Sequence, residues 1–262
     1  MNTLLSEYNQ ALGKISRQIG FNSLFSPTLC RVEGQTNLFR TIYIKKDKKK
    51  ISIIFIKDLI QNSIKYSIGF LLKPMRDIII RSYSKKNTEK IRTNLLFITY
   101  GDKRNYSSSN NWREEIFRGL IPNENDYLLV IPVGKKLKDI IKTIKFINKC
   151  NNNNNKILNI YQFIKIEDVL IASLIALKAY VISLNGLIHN KAIVGDKEIT
   201  RDIIFSLTKD YLSGTIYTNC LYYKAFTRLL KINNISCIIY PWECQCWERL
   251  LIRRTKDNKL SI

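Results

Sequence analysis

The chain contains a single histidine, His189. A structural zinc site takes four Cys or His ligands, and Cys244 and Cys246 form a C-x-C pair with no second pair to match it. No metal site is therefore expected. The sequence also lacks G-x-x-x-x-G-K-[ST], G-x-G-x-x-G and H-E-x-x-H, so P-loop, dinucleotide-binding and zincin readings have no signature. It lacks G-x-S-x-G, which leaves an α/β-hydrolase unsupported. No RRM-like or zinc-finger pattern is present. The N-terminus has no basic start followed by a compact apolar core, so no secretory signal is read. A cytoplasmic, reducing setting is expected, with the cysteines at 30, 150, 220, 237, 244 and 246 as buried thiols.

Acidic residues are scarce. Lysine and arginine number 43 against 21 aspartates and glutamates, a net charge of +22 in 262 residues. One reading is attraction to an anionic partner: nucleic acid, an anionic membrane or a phosphorylated substrate. The other is codon bias, since Lys, Asn and Ile are abundant together and Asn151 to Asn155 is a run of one residue.

The pattern predicts an amphipathic helix over residues 3 to 19, with Leu4, Leu5, Tyr8, Leu12, Ile15 and Ile19 on one face. Residues 20 to 50 read as irregular, with a strand-like run at 39 to 44 and a lysine loop at 45 to 50. Ile51 to Ile56 is strand-like, and 58 to 72 reads as helix. Pro74 and the polar stretch 82 to 93 read as a linker, which places a boundary near residue 90. Thr93 to Tyr100 and Tyr127 to Pro132 are apolar runs that fit buried strands. Trp112 to Leu120 and Lys135 to Cys150 read as helices, and Ile157 to Ile164 as a third strand. Glu167 and Asp168 open the most apolar segment, Val169 to Leu184, which is short for a membrane span and carries Lys178 in its middle. A buried core helix is expected there. Residues 198 to 232 read as two helical pieces broken at Ser213-Gly214, leading to a strand from Ser236 to Tyr240. Alternation of strand and helix predicts an α/β fold with a mainly parallel sheet and flanking helices over 91–262, preceded by a basic, α-rich N-terminal region over 1–90.

Beyond that last strand, two tryptophans, two carboxylates and an amide crowd together: Trp242, Glu243, Gln245, Trp247 and Glu248. Ligands of open α/β sheets bind outside the carboxyl ends of strands, so this is the candidate site. A helix starting near Glu243 puts Trp247, Leu250 and Leu251 on one face. Glu243 near a helix N-terminus can cap the helix, accept hydrogen bonds from substrate hydroxyls or act as a general base. The tryptophans can stack on sugar rings or pack in the core.

Tyr240-Pro-Trp-Glu243-Cys-Gln245-Cys-Trp247-Glu248-Arg-Leu-Leu resembles the Y-x-x-E-x-Q-x-W-E-x-x-L signature of bacterial surface-carbohydrate biosynthesis proteins, glycosyltransferase-like proteins of capsule and O-antigen clusters. Leu95 to Tyr100, followed by a loop and Trp112, resembles an early strand of that family. Ser213-Gly214 and Asn219 resemble a pattern upstream of its signature. The resemblance spans roughly residues 93 to 254. It implies one Rossmann-like half of a GT-B architecture. The catalytic residues implied are Glu243 and Glu248, with Gln245, Trp247, Asn219 and Trp112 on substrate. Glu243 would bond acceptor hydroxyls or serve as base, Gln245 would add polar contacts and Trp247 would wall the site. No cofactor bound by this chain is expected, and a nucleotide-sugar donor would need a second domain or a partner chain. The implied partner is a glycan or lipid-linked acceptor, with peripheral contact at the inner face of an anionic membrane. Two other readings stay open: a basic nucleic-acid-binding protein, and a non-catalytic interaction module.

Overall fold

The computed structural model describes residues 2–30, 70–84, 92–106, 112, 113, 117, 126–134, 136–151, 156–232, 234–241 and 245–257. Helix α1 is Asn2–Ile19 and helix α2 covers 70–83. Strand β1 (Arg92–Gly101), β2 (Tyr127–Pro132), α3 (Leu137–Asn151) and β3 (Ile157–Asn159) follow. Then come α4 (Ile166–His189), a two-residue hairpin pair β4 (Ile193–Val194) and β5 (Lys197–Glu198), α5 (Thr200–Leu212) and α6 (Thr215–Ile232). Strand β6 (Asn234–Ile239) and α7 (Cys246–Asp257) close the order. The fold is α/β: a four-stranded parallel sheet in the order β3-β2-β1-β6, flanked by helices.

Compactness divides the chain differently from a single boundary near residue 90. One unit comprises Met1–Pro74, Leu170–Leu221 and Cys244–Leu250; the other comprises Met75–Val169, Tyr222–Glu243 and Leu251–Ile262.

The second unit holds the sheet. Leu96 to Thr99 and Leu128 to Pro132 are buried without alternation, as parallel strands covered on both faces are. Leu96 pairs with Tyr127 and Leu128 with Ile157. Helix α3 buries Ile140, Thr143, Ile144, Ile147 and Cys150, an i, i+3, i+4 stripe. Ile147 and Cys150 pack with Phe97, Leu128, Val130 and Ile157. The third strand is shorter than the apolar run predicts. It stops at Asn159, whose N–H donates to Gln162 Oε1 and turns residues 160–163 into a tight helical turn. Two further expectations are corrected here. Pro74 does not begin a linker, because the helix runs on to residue 83, burying Asp77 and Ile80 on one face. Trp112 does not open a helix; it forms an antiparallel bridge with Tyr106.

The described residues of the first unit are mainly helical, apart from the β4–β5 hairpin. Tyr8, Leu12, Ile15 and Ile19 of α1 are buried as expected. Gly186 of α4 lies so close to Ile19 that a Cβ there would sit 2.6 Å from Ile19 Cγ1. Asp210 of α5 accepts from Ser26 Oγ and from the Thr28 N–H, both at 2.8 Å. Gly214, at φ +68°, separates α5 from α6, a left-handed conformation that glycine adopts without strain. The runs at 39 to 44, 45 to 50 and 51 to 56, and most of 58 to 72, lie outside the described residues.

The buried core helix expected over 169 to 184 is the main correction. Helix α4 is longer, and only 28% of its most apolar window is buried. Small residues face inward (Ala172, Ala176, Ala179, Ser183), while Leu170, Leu174, Leu177 and Val181 face out. By length and composition alone this helix could cross a membrane.

Candidate functional site

In an open parallel sheet the ligand crevice forms where strand order reverses, outside the carboxyl ends of the strands. Here the chain steps from β1 outward to β2 and β3, then returns as β6 on the other side of β1. The reversal lies between β1 and β6. Phe97 pairs with Ile239, the last residue of β6, and β1 runs four residues further to Gly101. The end of β6 therefore meets a protruding β1 wall. Half-buried Tyr240 and Pro241 follow at that edge.

The loop after β1 is tied down by its own side chains. The Asp102 carboxylate accepts the Arg104 N–H at 2.9 Å and Arg104 Nε at 3.0 Å. Those hydrogen bonds hold the Asp102 carboxyl below the usual carboxylate range against the opposing effect of burial. Asn105 accepts the Asp102 N–H at 3.0 Å and donates to the Arg113 carbonyl at 2.8 Å. The Tyr106 hydroxyl lies 2.9 Å from Thr143 Oγ1, and its ring stacks on Phe146 with centroids 4.5 Å apart. Trp112 covers Gly101, where a Cβ would stand 2.5 Å from the indole. This end of the sheet thus presents one ion-paired carboxylate and a rigid aromatic floor. Such a surface can accept hydroxyl hydrogen bonds and stack a flat or sugar-like ring.

Of the candidate residues, Trp112 belongs to this sheet unit. Glu243 lies outside the described residues. Helix α7 starts at Cys246, three residues beyond Glu243, so the cap position falls to Gln245, whose carbonyl accepts the Glu248 N–H at 3.2 Å. Gln245 is half-buried. Trp247, Leu250 and Leu251 are all buried, as a shared face requires. Glu248 is buried on the same helix, at 0% exposure. Asn219 is buried as well, and its Nδ2 donates to the Phe25 carbonyl at 2.9 Å. That bond explains the asparagine without a ligand. Asn219→Ala is expected to lower stability by about 1 kcal/mol, measured by urea unfolding, because the Phe25 carbonyl loses its donor.

The sequence pattern missed Asp102 and Asn105. Their D-x-x-N spacing directly after a strand-ending glycine was the available signal, and it reads as a polar loop until the strand end is fixed. It also missed a buried network in the sheet unit. Tyr161 Oη donates to Asp77 Oδ1 at 3.0 Å, and Arg76 pairs with Asp77 at 3.4 Å. Burial, reinforced by Asp77, pushes the Tyr161 and Tyr222 hydroxyls well up from their ordinary value. Both stay protonated, and Tyr161 keeps its proton for the bond to Asp77, which suits a structural role. No family model, no curated protein and no solved structure matches the chain.

Proposed function

We propose that the chain is a glycosyltransferase-like protein of bacterial surface-polysaccharide synthesis, its sheet forming one Rossmann-like half of a GT-B-type architecture and the acceptor side of the cleft. One observation carries the reading. The residues that make up the Y-x-x-E-x-Q-x-W-E signature begin at the carboxyl end of β6, beside the reversal of strand order where α/β sheets take ligands. In this reading Glu243 bonds an acceptor hydroxyl and accepts its proton as attack begins. Gln245 adds a second polar contact from the start of α7. Trp247 walls the site, and Glu248 is its second carboxylate. Within the sheet unit, Trp112 lies over Gly101 at the end of β1. The donor is a nucleotide sugar held by a second domain or partner chain, and the acceptor is a glycan or lipid-linked saccharide. The excess of basic residues suits an acceptor pyrophosphate and peripheral contact with an anionic membrane.

Glu243→Gln tests this directly. It keeps shape and removes the base, so transfer to a lipid-linked acceptor is expected to fall about a hundredfold, the scale of losing one general base. The measurements are polysaccharide output in a producing strain and acceptor turnover with the completed enzyme. A folded, normally abundant variant with unchanged output would overturn the assignment. Salt-sensitive binding of DNA or RNA by the wild-type chain, with a slope worth several phosphate contacts, would favour the nucleic-acid reading instead.

A further inference from the structure

Helix α4 is built inside out for a protein surrounded by water. Seven of the fifteen exposed large hydrophobics among the described residues lie on it, with Leu170 and Leu174 each 67% exposed. Leu170, Leu174, Leu177, Val181 and Ile188 recur at three-, four- and seven-residue steps, forming one stripe along about 30 Å of helix. The opposite face is closed by alanine and serine. Contiguous apolar surface of this extent marks an interaction site.

The C-terminal end of the stripe has a second feature. A cleft of about 390 Å³ opens there, lined by Lys14 and Gln18 of α1 and by His189, Asn190, Lys191 and Ile193. Ile188 and Ile193, both more than half exposed, sit at this end of α4. Lys178 is exposed on the stripe's flank. The one ion pair described among the cleft cations is Lys191 with Glu198 at 3.5 Å, solvent-exposed on both sides and so weak. An apolar ridge on a helix whose C-terminal end carries a lysine-lined cleft matches the boundary of an anionic bilayer, where acyl chains meet phosphate head groups. A second copy of the chain is a poor occupant, since each copy brings a charge of +22 that repels the other.

We propose that this face of the first unit docks on an anionic lipid bilayer, with the α4 stripe set into the acyl boundary and a lipid phosphate in the Lys14–Lys191 cleft. The proposal rests on the membrane-contact part of the reading above and not on its chemistry. The test is co-sedimentation of the purified chain with vesicles of phosphatidylcholine alone and with added phosphatidylglycerol. Binding is expected only to the anionic vesicles and to fall with salt. Lys14→Gln with Lys191→Gln should weaken partition roughly thirtyfold, about fivefold per charge at the surface squared. Leu170→Ser and Leu174→Ser should each cost about tenfold. These side chains are exposed, so circular dichroism should stay unchanged and separate lost docking from lost fold. Equal binding to neutral vesicles, no vesicle binding, or concentration-dependent dimers abolished by Leu174→Ser would overturn the proposal. So would phosphate binding that survives in solution while vesicles are ignored. Glu243→Gln should leave vesicle partition intact, so failure of docking and failure of transferase chemistry are read in separate assays.

Discussion

Replacing Arg228 by methionine is expected to destabilise the sheet unit by about 3 kcal/mol, the cost of stranding a buried carboxylate. Asp168, 2% exposed, is held by both Nη atoms of Arg228. The same guanidinium donates to the Phe163 carbonyl at 2.6 Å, and Arg81 donates to the carbonyls of Ile164 and Ser84. Two arginines from α6 and α2 therefore clamp the turn that follows β3. The Asp168 carboxylate also accepts the Lys165 N–H at 2.7 Å, which starts α4. Methionine fills much of the space but returns none of the donors. Asp168→Asn in the same background should recover part of the loss, because the amide is neutral and its oxygen can still take the Lys165 N–H. A double-mutant cycle by urea unfolding measures the coupling.

The pH dependence has a definite sign. Burial alone would raise the Asp168 pKa, but its hydrogen bonds to Arg228 and Lys165, and the nearby Arg228 and Lys224 charges, hold it below the ordinary value. A depressed folded pKa contributes stability above the unfolded value of about 3.9, and this is lost as pH falls through the folded value. In Arg228→Met the guanidinium is gone and burial dominates, so the folded pKa rises above the unfolded one. That variant should then lose stability as pH rises past about 4, the reverse of the parent. Unfolding curves at acid and neutral pH distinguish the two slopes. Asp210 already behaves in the second way, since burial outweighs its bonds to Thr28 and Ser26 and raises its pKa.

How much of this was legible follows from where each signal is stored. Strands β1 and β2 were readable because an unbroken apolar run bounded by Gly101 or Pro132 carries its own limits. The α5–α6 break was readable because Gly214 supplies a positive φ at the point where the apolar spacing resets. The end of β3 was not, since the run Ile157 to Ile164 continues apolar while the Asn159–Gln162 bond stops the strand. The Asp168–Arg228 pair was not either. Its partners are 60 residues apart, and Asp168 alone looks like a helix-start acid. The exposure of α4 was misread because the apolar content and length of Val169 to Leu184, with Lys178 in its middle, do not say which face carries the large residues. At the candidate site, the shared burial of Trp247, Leu250 and Leu251 came from spacing, whereas the start of α7 at Cys246 did not. The topology that sets β6 beside β1 required pairing across more than 130 residues, which no local pattern holds.

Gly101 is the residue through which fold and candidate site are joined most tightly. A Cβ there would stand 2.4 Å from Val130 Cγ1 and 2.5 Å from Trp112 Cη2. Neither neighbour is the free end of a flexible chain. Val130 is fully buried in the next strand, and Trp112 is tied through its bridge to Tyr106 and packs against Phe146. The backbone is equally fixed, because the Gly101 carbonyl accepts the Val133 N–H at 2.8 Å. Gly101→Ala is therefore expected to cost about 3 kcal/mol, the upper range for overpacking a closed core. Val130→Ala removes the nearer clash, so the pair should be less destabilised than the sum of the single changes. The Trp112 clash remains in that double variant, and it should displace the indole from the strand end. Quenching of tryptophan fluorescence by iodide reads this displacement, while urea unfolding reads the rescue. Recovered stability with a newly exposed indole would separate the two roles of Gly101: closing the core beneath β2, and seating the aromatic floor where β1 outruns β6. If Gly101→Ala folds with parental stability and an unquenched indole, the close packing at this strand end is wrong, and Trp112 cannot serve as the floor of a ligand site.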